Sequence, residues 1–365
     1  MGRGLRYHAE SHMSISAIPA PAAAPRSRLS AVAVWLLVVL AMTAAIVMVG
    51  GLTRLTDSGL SITEWKPDAG VIPPLSEQDW QAELEKYRST TEYQVVNKGM
   101  SVAEFKRIFW WEWGHRLLAR TIGLVALLGL AIFWWRGRLK GPLLRRSIVL
   151  VLLVGAQGAL GWFMVVSGLT GRLDVSQYRL AAHLGLAFLI FAWTLVMLLD
   201  LRSPREGRAA QPGLTLARTT LVVVFLQILL GGLVAGLDAG LTYNTWPLMD
   251  GALVPGGLFL HDPWWVNFGD NITMVQFQHR MTAYAVAVLA VACVIFAGRT
   301  GAGKPPAGLL GTITVGQILL GVLTLLAGAE GEQPILLGAA HQFGALILFG
   351  AAIAHWHALS GKRTG

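Results

Sequence analysis

Eight long apolar segments constrain the fold of this 365-residue chain more than any other feature of its sequence. Each has about 18 or more nearly uncharged residues, enough for a helix to cross the roughly 30 Å of hydrocarbon in a bilayer. The predicted spans are 30–50, 115–135, 147–168, 178–199, 216–236, 279–298, 306–328 and 336–357. With 54% hydrophobic and 13% charged residues, the chain is too apolar for a soluble globular protein. We therefore expect an all-α membrane protein with eight transmembrane helices.

The distribution of basic residues predicts the orientation of these helices. One set of connecting segments holds 17 of the 29 Lys and Arg residues but 3 of the 20 Asp and Glu residues; it comprises 1–30, 136–146, 200–218, 299–305 and 358–365. Because short basic loops stay on the cytoplasmic side, we expect both termini in the cytoplasm of a bacterial cell, with the chain in its inner membrane. The formal net charge of +9 then requires no nucleic-acid partner, and membrane lipid is the expected partner instead.

An internal repeat divides the chain into two halves of four spans each. Residues 50–74 align without a gap on residues 231–255, with 9 of 25 positions identical. Further matches follow in the same order: His115-Arg116 with His279-Arg280, Gln157 with Gln317, Gly161 with Gly321, and Ala181-Ala182-His183 with Ala339-Ala340-His341. Because each half has an even number of spans, both halves have the same orientation. The expected fold is two pseudo-symmetric four-helix bundles related by this parallel repeat.

The expected division of the chain follows from the repeat. The N-terminal half covers 30–199, the C-terminal half covers 216–357, and a cytoplasmic linker at 200–215 joins them. Residues 358–365 form a tail. Residues 1–29 are rich in Ala, Pro and Ser and are expected to be a disordered cytoplasmic tail, with a mitochondrial transit peptide as the alternative.

The outer segment 51–113 contains two predicted helix starts. Ser76 with Asp79, and Ser101 with Glu104, fit the capping-box pattern. Between them, an apolar stripe at helical spacing could lie on the membrane surface; it consists of Trp80, Leu84 and Tyr87. The segment is predicted to cover the helix ends, with a partner-docking site as the alternative.

Four histidines carry the functional prediction. His115, His183, His279 and His341 all lie within about two turns of the outer start of a predicted span. A single histidine inside a membrane is often a hydrogen-bond partner between helices. Four at similar depth, paired by a repeat, instead indicate iron ligands for two hemes, because neutral imidazole binds heme iron. The expected pairs are His115 with His183 and His279 with His341; zinc is the alternative, although the C-terminal half has no nearby thiol or second carboxylate.

Residues near these histidines agree with a flat macrocycle between helices. Glycines in the third and seventh spans would let a porphyrin ring approach the helix backbone, although close packing between helices would explain them as well. They are Gly155, Gly158, Gly161, Gly316 and Gly321. Arg116 and Arg280 are expected to neutralise heme propionates. The histidines at the inner end of the last span, His355 and His357, are expected to be solvated or to contact lipid headgroups.

One position distinguishes the two predicted sites. Overlaying the His-Arg pairs places Glu112 opposite Gln276. Since Glu112 precedes His115 by three residues, both project from nearly the same helix face. A carboxylate can move protons and an amide cannot, so the N-terminal site is expected to perform chemistry while the C-terminal site carries electrons. The alternative is that Glu112 pairs with Arg116 or Arg120.

Several motifs resemble those of heme A synthases, in the form found in proteobacteria and mitochondria, over about residues 30–357. They are GGLTRLTDSGLSITEWKP, FWWEWGHRLLAR, GLTYNTWPLMDG, VQFQHR and AAHQFGA. The resemblance implies oxidation of the C8 methyl of heme O to a formyl group by successive hydroxylations, with water as the oxygen source, giving heme A for cytochrome c oxidase. Some family members have a cysteine pair in the outer loops. This chain has only Cys293, so a step that relies on those thiols is not expected.

The resemblance also implies roles for individual residues and partners. His279 and His341 would hold a resident heme b, while His115 and His183 would surround the substrate heme O. Glu112 falls on the essential glutamate of the family. Heme O synthase is the expected substrate donor, and a homo-oligomer remains open. Two rival functions also remain open: a diheme electron-transfer cytochrome without chemistry on its hemes, and a transporter that uses histidines as proton relays.

Overall fold

The computed structural model describes residues 1–2, 30–64, 69–169, 171–331 and 334–361. The tail predicted over 1–29 therefore lies almost entirely outside the described residues, as does half of the predicted tail at 358–365, namely residues 362–365. The helices are α1 (Ala31–Leu55), α2 (Glu77–Arg88), α3 (Thr91–Val95), α4 (Val102–Trp135), α5 (Gly141–Gly168), α6 (Gln177–Arg202), α7 (Leu214–Gly236), α8 (Asn267–Asp270), α9 (Ile272–Thr300), α10 (Lys304–Ala327) and α11 (Ile335–Leu359). Within the described ranges, all of them except α2, α3 and α8 are long and apolar enough to cross a membrane. The prediction of an all-α protein with eight such helices is confirmed.

Helix α4 begins much earlier than predicted. The Glu104 amide donates to the Ser101 hydroxyl at 3.3 Å, and the Glu104 carboxylate accepts from the Ser101 amide at 2.8 Å, so the predicted capping box is present. From this cap the helix continues without interruption into the apolar span that was predicted to start at residue 115. That boundary is wrong by 13 residues. His115 therefore lies in the fourth turn of its helix, whereas the other three histidines lie in the second turn of theirs.

Several other boundaries also differ from the predictions: α1 ends five residues later, and α5 and α9 begin six and seven residues earlier, respectively. The linker predicted at 200–215 is shorter, because α6 continues to Arg202 and α7 already begins at Leu214. The last helix ends at Leu359 rather than at residue 357. The two-residue differences at the start of α7 and the end of α11 are typical of helix ends.

The membrane-length helices have equivalent neighbours in the two halves. Helix α1 packs against α4 and α6, and α5 packs against the same two helices. In the C-terminal half, α7 packs against α9 and α11, and α10 packs against the same two helices. Contacts between α1 and α11, and between α6 and α7, join the halves. The largest hydrophobic cluster includes Val47 of α1, Phe188 of α6, Val224 of α7 and Phe349 of α11, so it lies where the halves meet.

The apolar stripe of α2 is part of the protein interior. Trp80, Leu84 and Tyr87 are each at most 7% exposed. They pack against Phe105 and Phe109, which lie in the early part of α4 that precedes the predicted span. The prediction that this stripe could lie on the membrane surface is therefore wrong. It is covered because the extended α4 offers an aromatic surface outside the apolar span.

A cluster of charged groups joins three helices at the ends that lie away from the repeated histidines. The carboxylate of Asp200 in α6 accepts from Arg146 of α5 at 2.8 Å and from Arg205 of the following loop at 2.7 Å. His357 of α11 completes the cluster, with its Nε2 atom 2.9 Å from Asp200 Oδ1. His355 and His357 are each 3% exposed, so the expectation that they are solvated or contact headgroups is wrong. The cluster connects the N-terminal half to the last helix of the C-terminal half.

Candidate functional site

Each of the four repeated histidines packs directly against a glycine of a neighbouring helix. A Cβ atom added to the glycine would lie about 3 Å from the imidazole, at 3.1 Å for Gly50 and His115, 2.9 Å for Gly161 and His183, 3.2 Å for Gly231 and His279, and 2.8 Å for Gly321 and His341. Larger residues at these glycines would displace the rings. The glycines lie on α1, α5, α7 and α10, so the arrangement repeats in both halves.

The structure distinguishes among the glycines that the sequence singled out. Gly161 and Gly321 face imidazoles, as described above. Gly155, Gly158 and Gly316 have open space where a side chain would be. Gly50 and Gly231, the first residues of the aligned segments 50–74 and 231–255, were not assigned a role from the sequence. Their positions in the repeat were the signal that could have identified them.

The histidines of each expected pair are close together. His115 interacts electrostatically with His183, and His279 interacts electrostatically with His341. His279 and His341 line one cavity of about 310 Å³ in the C-terminal half. Its wall is mostly apolar and includes Val224 and Ile228 of α7. Two imidazoles that share an apolar cavity can ligate one iron from opposite sides of a porphyrin.

Three glutamines contact these imidazoles. The Gln157 amide nitrogen donates to the His183 carbonyl at 3.0 Å and lies 3.2 Å from the His183 Nε2 atom. In the C-terminal half, the Gln317 amide nitrogen donates to the His341 carbonyl at 2.8 Å and lies 3.1 Å from the ring. These two glutamines were matched in the repeat, but their contacts were not predicted. A side chain that contacts a ligand imidazole orients the ring.

The third glutamine has no counterpart in the N-terminal half. The Gln227 amide nitrogen lies 3.1 Å from the Nδ1 atom of His279. The ungapped repeat aligns Gln227 with Ile46, whose side chain has no hydrogen-bonding group. Sequence reasoning missed Gln227, because the comparison of the halves began at Gly50 and Gly231.

Arg116 and Arg280 fasten the preceding outer loop in the same way in both halves. Arg116 donates to the Ile62 carbonyl at 2.7 Å and to the Glu64 carbonyl at 3.0 Å. Arg280 donates to the carbonyls at the two aligned positions, which are Tyr243 and Thr245. Arg280 also lines the cavity of the C-terminal half, together with Arg54 of α1. Both arginines therefore stabilise the loop beside a histidine pair.

Glu112 receives three hydrogen bonds although it is only 2% exposed. The Ser61 hydroxyl and the Ile62 amide each donate to Oε2 at 2.7 Å. Arg116 donates to Oε1 at 2.6 Å, so the ion pair that was the alternative interpretation of Glu112 is present. The carboxylate thus connects α4 to the outer loop one turn before His115.

Gln276 makes the corresponding contacts in the C-terminal half. Its amide nitrogen donates to the Ala239 carbonyl at 2.9 Å, and its amide oxygen accepts from Arg280 at 3.4 Å. Both residues therefore hold a loop, and only Glu112 carries a charge that can be lost or gained. The predicted asymmetry between the halves lies at structurally equivalent positions.

The residues around the histidine pairs fit a heme. The Nδ1 atom of His183 is buried and has no hydrogen-bond partner, so this ring retains a nitrogen that is not used by the protein. The glycines opposite the imidazoles keep the space beside each ring free of side chains. In the described part of the chain, no cluster of three or more His, Cys, Asp or Glu side chains is arranged to hold a metal ion alone. Histidine pairs with apolar surroundings are better suited to a metalloporphyrin than to a free cation.

Comparisons with known proteins agree with this geometry. Residues 33–353 match the protein family described as cytochrome oxidase assembly protein. Over 333 residues, the chain is 50% identical to a protein named heme A synthase from Parvibaculum lavamentivorans. The alignment covers 90% of this chain and 94% of that relative. The chain is also 50% identical over 331 residues to a protein of the same name from Brucella ovis, covering 90% of this chain and 91% of the relative.

Proposed function

The chain belongs to the heme A synthase family, and from this premise we propose that it oxidises the C8 methyl group of heme O to the formyl group of heme A. The observation that carries this proposal is the repeated arrangement of paired imidazoles, each packed against a glycine. The overall reaction adds one water oxygen to the methyl carbon and releases four protons and four electrons. The product would serve cytochrome c oxidase, in agreement with the family description.

The two halves are proposed to divide the work. His279 and His341 would hold a heme b, supported by the cavity that both line and by the Gln227 contact that only this half has. When bound, heme b supplies a centre that accepts one electron at a time. His115 and His183 would surround the substrate, heme O. Arg280 lines the cavity and is the proposed partner of a heme b propionate, and Arg116 has the same proposed role beside the substrate.

Glu112 is proposed to accept a proton released at the substrate methyl group. It lies one helical turn from His115, and it is buried, so it can act close to the reacting carbon. Its hydrogen bonds to Ser61, Ile62 and Arg116 hold the carboxylate in one position. Gln276 at the equivalent position can hold a loop but cannot accept a proton.

The proposed location is a bacterial inner membrane with both termini in the cytoplasm. The support is the positive-inside distribution of Lys and Arg together with the eight membrane-length helices. The histidine pairs would then lie near the periplasmic face. Heme O is poorly soluble in water, so a heme O synthase in the same membrane is the proposed donor, and a homo-oligomer is compatible with this arrangement.

One experiment separates this function from its rivals. The protein is expressed beside a heme O synthase, purified, and examined by absorption spectroscopy and by mass analysis of its extracted hemes. We expect a Soret band from bound heme b and the appearance of heme A. Bound hemes without any heme A would indicate an electron-transfer cytochrome, and a protein without a Soret band would indicate a transporter; either result overturns the proposal.

A further inference from the structure

Arg179 is a half-buried cation of the N-terminal half that has no role in the proposed reaction. It lies in the first turn of α6, four residues before His183, so both side chains project from the same face of the helix. At a rise of about 1.5 Å per residue, Arg179 lies roughly 6 Å closer than His183 to the start of α6. A positive charge is unfavourable in the first turn of a helix, so the stability of α6 does not explain this residue.

The Arg179 guanidinium contacts α5 beside the glycine that packs against His183. Its Cζ atom lies 4.8 Å from the centre of the Phe163 ring, and Phe163 follows Gly161 by two residues. Among the described residues, the guanidinium has no carboxylate or other hydrogen-bond partner. An arginine that stacks on an aromatic ring uses the face of its guanidinium and keeps the N–H groups at the edge available. These N–H groups can therefore bind an anion close to the proposed substrate site.

The C-terminal half has no counterpart of this contact. The histidine alignment places Leu337 opposite Arg179, and the glycine alignment places Leu323 opposite Phe163. Both the cation and the ring that holds it are therefore confined to the half that is proposed to receive the substrate.

The number of propionates on a heme calls for a second cation in the N-terminal half. A heme has two propionates, and each needs a cationic partner in a low dielectric. Two arginines line the C-terminal cavity, Arg54 and Arg280. In the N-terminal half, Arg116 is the proposed partner of a propionate, but its guanidinium also donates to Glu112 and to two loop carbonyls. The other propionate therefore needs a different residue.

We propose that Arg179 binds a propionate of heme O, an inference that rests on the proposed function. Phe163 holds the guanidinium beside the histidine pair, and the carboxylate accepts from its N–H groups. Arg179 thereby favours a porphyrin with ionised propionates. Binding of both propionates also prevents the macrocycle from rotating in its own plane, so one methyl group is presented for oxidation rather than another.

The test compares the binding of heme O with the binding of its dimethyl ester, in which both propionates are uncharged. Protein purified with heme b alone is titrated with each porphyrin in the absence of an electron acceptor, so that no conversion occurs. Bound porphyrin is measured by extraction and mass analysis. The wild-type protein should bind heme O more tightly than the ester. Arg179→Leu should bind heme O about tenfold or more weakly and should bind the ester as the wild type does.

Two further variants and one measurement serve as controls. Arg179→Lys keeps the charge and should retain part of the preference for heme O. Arg172→Leu removes an exposed arginine of the preceding loop and should bind both porphyrins like the wild type. The heme b content of all variants should equal that of the wild type, which shows that the C-terminal site is intact.

Three results would overturn the inference. One is wild-type affinity of Arg179→Leu for heme O, and another is an equal loss of heme O and ester binding, which would indicate a structural or lipid-contacting role. The third is a wild-type protein that binds heme O and the ester equally, which decides the matter even if Arg179→Leu does not fold. Failure of the proposed function would look different, because the wild-type protein would then bind heme O but form no heme A when an electron acceptor is present.

Discussion

The two histidine pairs share their glycine partners and their arginine-bound loops but differ in how the rings are held. In the C-terminal half, Gln227 contacts His279 from α7. In the N-terminal half, the aligned position is Ile46, which leaves His115 without this contact. A resident cofactor benefits from ligands that are fixed on every side, whereas a substrate must enter and leave. The difference agrees with the proposed division, in which the C-terminal pair holds heme b and the N-terminal pair receives the substrate.

The second difference is the charge beside the outer loop. Glu112 and Gln276 occupy equivalent places, and each contacts the arginine that fastens its loop. The shared contacts make the amide a natural control for the carboxylate. Whatever Glu112 contributes beyond holding the loop must come from its charge.

The largest expected effect separates the two pairs by heme content. His279→Ala removes one of the two proposed iron ligands in the C-terminal cavity, so heme b should be lost and conversion should stop. His115→Ala should leave the heme b Soret band intact while it abolishes conversion of heme O. Absorption spectra and heme extraction of both purified variants measure this difference. If both variants lost the same heme, the proposed division between the halves would be wrong.

A smaller but still large effect is expected when the charge difference is removed. Glu112→Gln keeps the shape of the side chain and can still accept from Ser61 and the Ile62 amide, so the loop should remain in place. Conversion should fall by about 100-fold or more, because the variant cannot accept a proton. Heme b content should not change. The reciprocal variant Gln276→Glu serves as the control and should not gain activity; normal heme A formation by Glu112→Gln would refute the proton-accepting role.

The mildest expected effect concerns the glutamine that only one half has. Gln227→Leu removes the contact with His279, and heme b affinity should drop by about tenfold, as for other residues that orient metal ligands. The measurement is the rate of heme b transfer from the purified protein to an excess of apomyoglobin. Ile46→Gln provides the matched variant and should instead retain the product more tightly. Equal heme b retention in Gln227→Leu and the wild type would argue against the proposed distinction.

The membrane-crossing helices were the part of the fold that could be predicted from the sequence, because the thickness of the bilayer determines their length and apolar character. Apolar length alone identified the eight helices, because a membrane-crossing segment must satisfy its own backbone hydrogen bonds. The start of α4 at Val102 was missed, since hydropathy detects the apolar part of a helix and does not detect a polar extension beyond it. The capping box at Ser101 was predicted correctly, but its continuity with the next span could not be inferred from local sequence.

The candidate site was predictable where the repeat preserved residues and unpredictable where contacts cross between helices. The histidines and Glu112 were found because their counterparts align. The packing of Gly50 against His115 depends on a tertiary contact that no local pattern encodes. His357 was misjudged for the same reason, because its partner Asp200 lies 157 residues away in sequence.

The bond between Asp200 and His357 has a consequence at the opposite end of the same two helices. Helix α6 carries Asp200 and His183, which are 17 residues apart, and α11 carries His357 and His341, which are 16 residues apart. At a rise of about 1.5 Å per residue, His183 and His341 lie roughly 26 Å and 24 Å along their helices from the hydrogen bond between Asp200 and His357. Because a helix has a nearly constant length, a contact between these helix ends places the imidazoles of His183 and His341 at nearly the same depth. One hydrogen bond between the halves can thereby keep His183 and His341 at matching depths, and with them the separation of the two proposed hemes, the quantity on which electron tunnelling depends most steeply.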